Sequence, residues 1–463
     1  MNDELPAGWV RVQLGDILLG IEAGKSFTCE PRPAEPDEWG VIKVSAMTWG
    51  TFRENENKAL PAHRMPDVRY EIQPGDILVS RANTEAYVGA PVLVGRCRRR
   101  LLLSDKSLRL KPAAGIDPRW LVYAIASPTV RQQISASSTG AQESMRNISQ
   151  SALASIEVAL PPEAEQRRIV ETLEHHLSRL DLGEHTLDAA LARCRSYRRS
   201  WLLATTHSVA AEAVRLDAVA DVRLGRQRSP KNHGGDSMFP YLRAANITWS
   251  GLKLDDVKEM NFTDKELATY RLRPGDVLLS EASGSPREVG KPALWQGEIE
   301  NCCFQNTLIR VRPTGILPEF LLHYLRAEAM AGRFADNSRG VGIHHLGATA
   351  LAGWKVVLPD DEVQAKIVAQ IDETEPILVA VETAIAKQVQ RSKNLRNSLL
   401  RAASSGKLVA QDPSDEVASE LLERIEVERR RHGVGRRALR ARSAAAPKMK
   451  TDASTGHQEE LWL

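Results

Sequence analysis

Residues 20–26, Gly-Ile-Glu-Ala-Gly-Lys-Ser, are the nearest the sequence comes to a nucleotide-binding loop. Such a loop needs four residues between its glycines so that backbone N–H groups can wrap a phosphate. Only three stand between Gly20 and Gly24, and the matching place in the second half, Gly225-Arg226-Gln227, keeps a glycine and a base but not the motif. The segment reads as a turn. Pro66 and Asp67 followed by Glu71 and Gln73 have the outline of a metal-dependent nuclease, but glutamine stands where the lysine belongs. There is no Asn-Pro-Pro-Tyr tetrad for methyl transfer, no Gly-x-Ser-x-Gly elbow, and no histidine spaced with a nucleophile as in a triad. Cys29, Cys97, Cys194, Cys302 and Cys303 form neither a Cys-x-x-Cys nor a zinc spacing. The side chains left over are those of a binding protein. Arg96, Arg98, Arg99 and Arg100 cluster in the first half, Arg223, Arg226, Arg228 and Lys231 follow the midpoint, and further arginines fill residues 429–442.

These residues must be positioned by more than one domain, because 463 residues exceed what one hydrophobic core organises. A composition of 42% hydrophobic and 26% charged residues is that of a globular protein, and a net charge of +3 neither requires nor excludes a nucleic-acid partner. No apolar run is long enough for a membrane span, and the start lacks a leader pattern, so a cytoplasmic location with no membrane partner is expected.

An internal repeat settles the organisation. The segment YEIQPGDILVS at 70–80 returns as YRLRPGDVLLS at 270–280. At the same step of two hundred residues, Lys43 matches Arg243, Thr48 matches Thr248, and Pro118 matches Pro318; Leu160-Pro161 returns as Leu358-Pro359 at a slightly shorter step. Each unit opens with short β-branched runs punctuated by Pro-Gly and Gly-Asp, for example 41–44, 76–80 and 108–111, with short proline-led helices at 118–127 and 318–327. Each then ends in about forty residues of helical periodicity, interrupted only by Gly183 and Pro376. The expected fold is α+β with a pseudo-twofold internal repeat. Its parts are a β-rich domain (1–160), a helix (161–207), a second β-rich domain (208–358), a second helix (359–410) and a tail (411–463). The tail holds an amphipathic helix over 414–431, free to dock on a partner helix, and then disorder.

The stretch LPPEAEQRRIV at 160–170, opening a long helix behind a β-rich domain, resembles the helix start of type I restriction-modification specificity subunits. The Pro-Gly-Asp-Ile/Val-Leu segments at 74–78 and 274–278 resemble the strand entry of that family's target-recognition domains. Residues 399–408 resemble the end of its second helix, and Gly8-Trp9 with Leu14-Gly15-Asp16 its opening. The likeness covers residues 5 to about 410. One departure is Val363 where the first unit has Glu165, which leaves the role of that glutamate open.

The resemblance implies a non-catalytic subunit whose two recognition domains each read half of a split double-stranded DNA target. It implies two methyltransferase and two restriction subunits as partners. Those partners, not this chain, would use S-adenosylmethionine, ATP and Mg²⁺ for adenine methylation and cleavage. The candidate reading residues lie in the loops after the Gly-Asp strands (Arg81, Asn83 and Thr84; Glu281 and Ser283) and in the paired segments holding Lys43 and Ser45 and holding Arg243 and Asn246. Arg98, Arg99 and Arg100 are candidates for phosphate contacts, and Arg226, Arg228 and Lys231 are further DNA-binding candidates. Two other readings compete: a stand-alone nuclease or modification enzyme with an unfamiliar site, and a two-domain scaffold that binds only proteins.

The two helices also carry a coiled-coil-like seam. Leu180, Glu184, Leu187, Leu191, Cys194, Arg198 and Trp201 recur as Leu378, Glu382, Ile385, Val389, Ser392, Arg396 and Leu399. Parallel packing in register would set Glu184 beside Glu382 and Arg198 beside Arg396. Antiparallel packing pairs Glu184 with Arg396 and Arg198 with Glu382, so antiparallel packing is expected.

Overall fold

Ile77, Leu78 and Val79 are all fully buried, although a strand shows alternate side chains to opposite faces. The reason is that both faces are covered: Ile77 and Val79 enter one apolar core with Leu14, Trp120 and Leu173, while Leu78 enters another with Ile42, Met47 and Leu101. Val277 and Leu279 divide from Leu278 in the same way. The computed structural model describes residues 5–48, 50–140, 145–229, 234–283, 288–336 and 344–433. It falls into two units, 1–184 with 390–463 and 185–389.

In the first unit the central antiparallel sheet has the order Leu18–Ala23, Ser107–Pro112, Ile77–Ser80, Pro91–Leu93. A mixed sheet has the order Asn57–Ala59, Gly40–Ile42, Leu101–Leu102, and Val10–Gln13 pairs with Glu157–Leu160 where the domain closes. The second unit repeats the order with Ala220–Leu224, Leu308–Pro313, Val277–Ser280, Pro292–Leu294. It repeats the rest with Lys258–Asn261, Met238–Leu242, Cys303–Phe304, and with Ala213–Arg215 against Lys355–Val357. Residues 41–44, expected as one strand, divide into the strand end at Ile42 and a 3₁₀ turn, Val44–Met47, that buries Ala46 and Met47. The second unit adds a hairpin, Ile247–Thr248 with Gly251–Leu252, and a helix, Asp264–Tyr270, where the first has a short turn at Val68–Tyr70.

The repeated Pro-Gly-Asp has a structural purpose. Gly75 and Gly275 both sit at φ +93°, a left-handed turn conformation that glycine adopts without strain. The next residue closes the turn: Asp76 accepts from the Gln73 N–H at 2.9 Å and Asp276 from that of Arg273 at 2.7 Å. Each aspartate also pairs with an arginine of the neighbouring strand, Arg109 at 3.0 Å and Arg312 at 2.7 Å.

The long helices run Glu163–Thr206 and Asp361–Ser404, straight through Gly183 and Pro376. The glutamine in the first turn of each is buried, and the two do matching work. Gln166 Oε1 accepts from the Asp117 N–H and Gln364 Oε1 from the Leu317 N–H, both at 2.9 Å, fixing the starts of the helices Pro118–Ala126 and Pro318–Met330. Glu165 now has a role. It accepts from Trp9 Nε1 at 2.8 Å and Gln411 Nε2 at 2.6 Å, tying the chain's opening and its tail to the first helix, while Val363 packs on the core of the second unit.

Antiparallel packing is met in each unit taken alone. In the first, Arg396 lies 3.5 Å from Glu184 and also bonds Asp181. In the second, Arg198 lies 3.7 Å from Glu382 and also bonds Glu375. The expected partner is present each time, but each arginine leans on a second carboxylate, one turn away for Asp181 and two turns away for Glu375.

The tail corrects an expectation. Its helix, Ala418–Arg431, does not offer its apolar face to a partner. Ala418, Leu421 and Ile425 are part of the first unit's own core, and Arg429 donates to the Asp16 carbonyl at 3.0 Å. Gly433 is the last described residue, so the disorder expected from there on falls outside the described residues. Among the described residues, no helix is long and apolar enough to cross a membrane.

Candidate nucleic-acid interface

Several cations that the sequence offered to DNA are engaged in holding the fold. Arg98 donates to the carbonyls of Ala34 (2.9 Å) and Glu38, and its N–H to Glu54 (2.6 Å), so its guanidinium ties the loop around residue 34 to the sheet. Arg226 is buried over the Phe262 ring, its Cζ 4.7 Å from the centroid, and pairs with Glu266 at 2.7 Å. Asn246 is buried too, accepting from the Arg243 N–H and donating to the carbonyls of Lys253 and Asp256. Arg226 and Asn246 are buried and Arg98 half-buried, and each has partners inside the protein, as a polar side chain taken out of water must. Arg100 is exposed but bonds the Asp37 carbonyl, while Arg99 stays exposed at the same loop.

The loops after the Gly-Asp strands form short ladders. Ala82–Asn83 pairs with Arg146–Asn147, and Ala282–Ser283 with His344–His345. Within them Asn83 bonds Ser80 Oγ and the Thr84 N–H, Arg81 reaches the Asp105 carbonyl at 3.4 Å, and Thr84 is exposed. Glu281 carries His345 Nδ1 at 3.2 Å. The Ser283 side chain and the whole of Lys231 lie outside the described residues.

The remaining candidates gather on the small mixed sheets. In the second unit Arg228, Tyr241, Arg243, Lys258 and Glu259 line an open cavity of about 390 Å³. The strand Met238–Leu242 delivers Tyr241 opposite Lys258, and the chain leaving it delivers Arg243. Asp256 stands between the cations, 2.5 Å from Arg243 and 2.7 Å from Lys258. The Lys258 contact, reinforced by Arg243, holds its carboxyl below the usual carboxylate range. In the first unit Lys43 lies 3.5 Å from Glu56, which also accepts from Ser45 Oγ at 2.6 Å, and this hydroxyl contact likewise lowers its pKa. Sequence reasoning found Lys43, Ser45, Arg228 and Arg243 but passed over Glu56, Lys58, Asp256 and Lys258. The step of two hundred residues that matched Lys43 to Arg243 also matches these, and would have found them.

Chemically, the cations of such a cleft suit an anion. Its cations reach solvent and the Asp256 carboxyl is held low by them, the opposite of a desolvated acid–base pair. Among the described residues, no group of three or more His, Cys, Asp or Glu side chains is arranged to hold a metal ion.

A family model described as the type I restriction modification DNA specificity domain matches residues 209–391. The type I restriction enzyme EcoEI specificity subunit of Escherichia coli is 36% identical over 189 residues, which are 40% of this chain and 32% of that one. The match thus spans about a third of that relative's length. The type I restriction enzyme EcoKI specificity subunit of Escherichia coli strain K12 is 23% identical over 472 residues, covering 95% of this chain and 99% of the relative. A chain from a solved structure described as the structural basis of complex assembly and conformational transition of the type I R-M system shares the fold, with a TM-score of 0.64 at 21% identity. It covers 87% of this chain and 99% of that one.

Proposed function

We propose that this chain, which belongs to the family of type I restriction-modification DNA specificity subunits, reads a split DNA sequence, one half with each β-rich unit. One observation carries the reading: a single strand order and register is written twice in one chain, while the side chains on the small mixed sheets and in the loops differ between copies. Two copies of one architecture with different exposed side chains suit two different half-sites. The exposed faces of the long helices seat two methyltransferase subunits, and two restriction subunits complete the enzyme. S-adenosylmethionine, ATP and Mg²⁺ belong to those partners. Footprinting tests the reading directly. With a methyltransferase partner, the chain should protect two short DNA segments separated by an unprotected spacer. One continuous protected segment would contradict the split target, and cutting or methylation by the isolated chain would contradict its non-catalytic role.

A further inference from the structure

The two mixed sheets share a charge arrangement that neither the family likeness nor the reading loops explain. Lys58 lies opposite Val41 and Lys258 opposite Tyr241, the same register at the same step of two hundred residues. Two residues before each lysine stands a carboxylate, Glu56 or Asp256, and each carboxylate binds the cation that leaves the neighbouring strand, Lys43 or Arg243. The sign at each of the three positions is kept, but the residue type changes at two of them. Residues that read base edges would differ in hydrogen-bonding pattern between two different half-sites. What both units keep must serve what both half-sites share, and that is the phosphate backbone. Sign without fixed donor geometry is also what a phosphate requires.

We propose that Lys43 with Lys58, and Arg243 with Lys258, each form a backbone phosphate clamp in which Glu56 or Asp256 holds the place of the phosphate until DNA arrives. This deepens the split-target reading and rests on it. In the second unit Asp256 holds Arg243 and Lys258 toward one point, in the first Glu56 holds Lys43 while Lys58 stands exposed two residues on, and a phosphodiester oxygen takes over those contacts on binding. Accessibility permits the exchange, since the side chains of Lys258 and Asp256 are each 57% exposed. In the second unit the Arg243 Nε is also buried without a hydrogen-bond partner, beside the cavity that Arg228 lines. The carboxylate opposes indiscriminate binding as well, because DNA must displace it first.

The test is a salt titration of the full-length chain, with its methyltransferase partner, on a labelled 40-base-pair duplex of mixed sequence. Lys58→Gln and Lys258→Gln should each flatten the dependence of log affinity on log salt by roughly 0.9. Asp256→Asn and Glu56→Gln should tighten low-salt binding by roughly fivefold, the effect of removing one nearby negative charge. Thermal melting controls for folding, and Lys43→Gln provides a second variant of the first clamp. Wild-type-like binding by all the variants, or weaker binding by Asp256→Asn and Glu56→Gln, overturns the clamp. So does an altered recognition sequence in Arg243→Gln with an unchanged salt slope, which would make that arginine a base reader. Failure of the wild-type chain to bind the duplex even with a methyltransferase partner present overturns the split-target reading itself, and the clamp with it.

Discussion

Burial pushes the thiols of Cys302 and Cys303 up to about 12, while Cys29, Cys97 and Cys194 remain partly exposed. The thiolate is the reactive form, so at pH 8 the adjacent pair should resist alkylation in the native protein and react only on unfolding. Mass spectrometry after brief iodoacetamide treatment checks this, and rapid native labelling of either residue would contradict the placement. The buried glutamines support a sharper prediction. Gln166→Leu removes the side-chain acceptor of the Asp117 N–H, a loss worth about 1–3 kcal/mol. Hydrogen exchange there should speed up by roughly ten- to a hundredfold while Leu317 is unaffected; Gln364→Leu should do the reverse. At this scale the sequence was only partly readable. The Glu-Gln motif and Pro-Gly-Asp were visible, but whether Gln166 faced solvent or Asp117 depended on a helix start 49 residues away. Likewise Arg98 and Arg226 look like DNA-facing cations until their carbonyl, carboxylate and aromatic partners are in place.

Among the elements, the helix pair was the most legible, because orientation follows from which charges can tolerate each other along a fixed period. What the period could not give was burial. Arg198 and Glu375 have side chains only 11% and 9% exposed, and Arg326 approaches the same carboxylate at 3.8 Å. In the first unit Arg396 is 30% and Asp181 64% exposed. The two pairs should therefore behave differently. Arg198→Leu leaves a buried carboxylate short of a partner and should cost about 3–5 kcal/mol, much of it recovered by adding Glu375→Leu. Arg396→Leu should cost under about 1 kcal/mol. Urea unfolding of the three variants measures the contrast, and equal losses at the two sites would contradict it. The tail helix was misjudged for a related reason: its apolar stripe was plain, but a stripe does not name what it covers.

For the whole molecule, the internal repeat made the architecture readable without any second sequence, since each half served as the other's comparison. The same repeat separates what is common from what is particular. Strand order, the Pro-Gly-Asp turn, the capping glutamine and the cation–carboxylate–cation arrangement are common. The hairpin 247–252 and the helix Asp264–Tyr270 are, among the described residues, particular to the second unit. Base recognition belongs with the particular features, so the two units should exchange independently. The most direct measurement is sequencing of adenine methylation in cells that carry the chain, lack it, or carry it with residues 1–155 exchanged for those of a relative. The account predicts one split motif that vanishes on deletion, and an exchange that rewrites one half of the motif and leaves the other intact. Methylation that persists without the chain, or an exchange that alters both halves together, would contradict it.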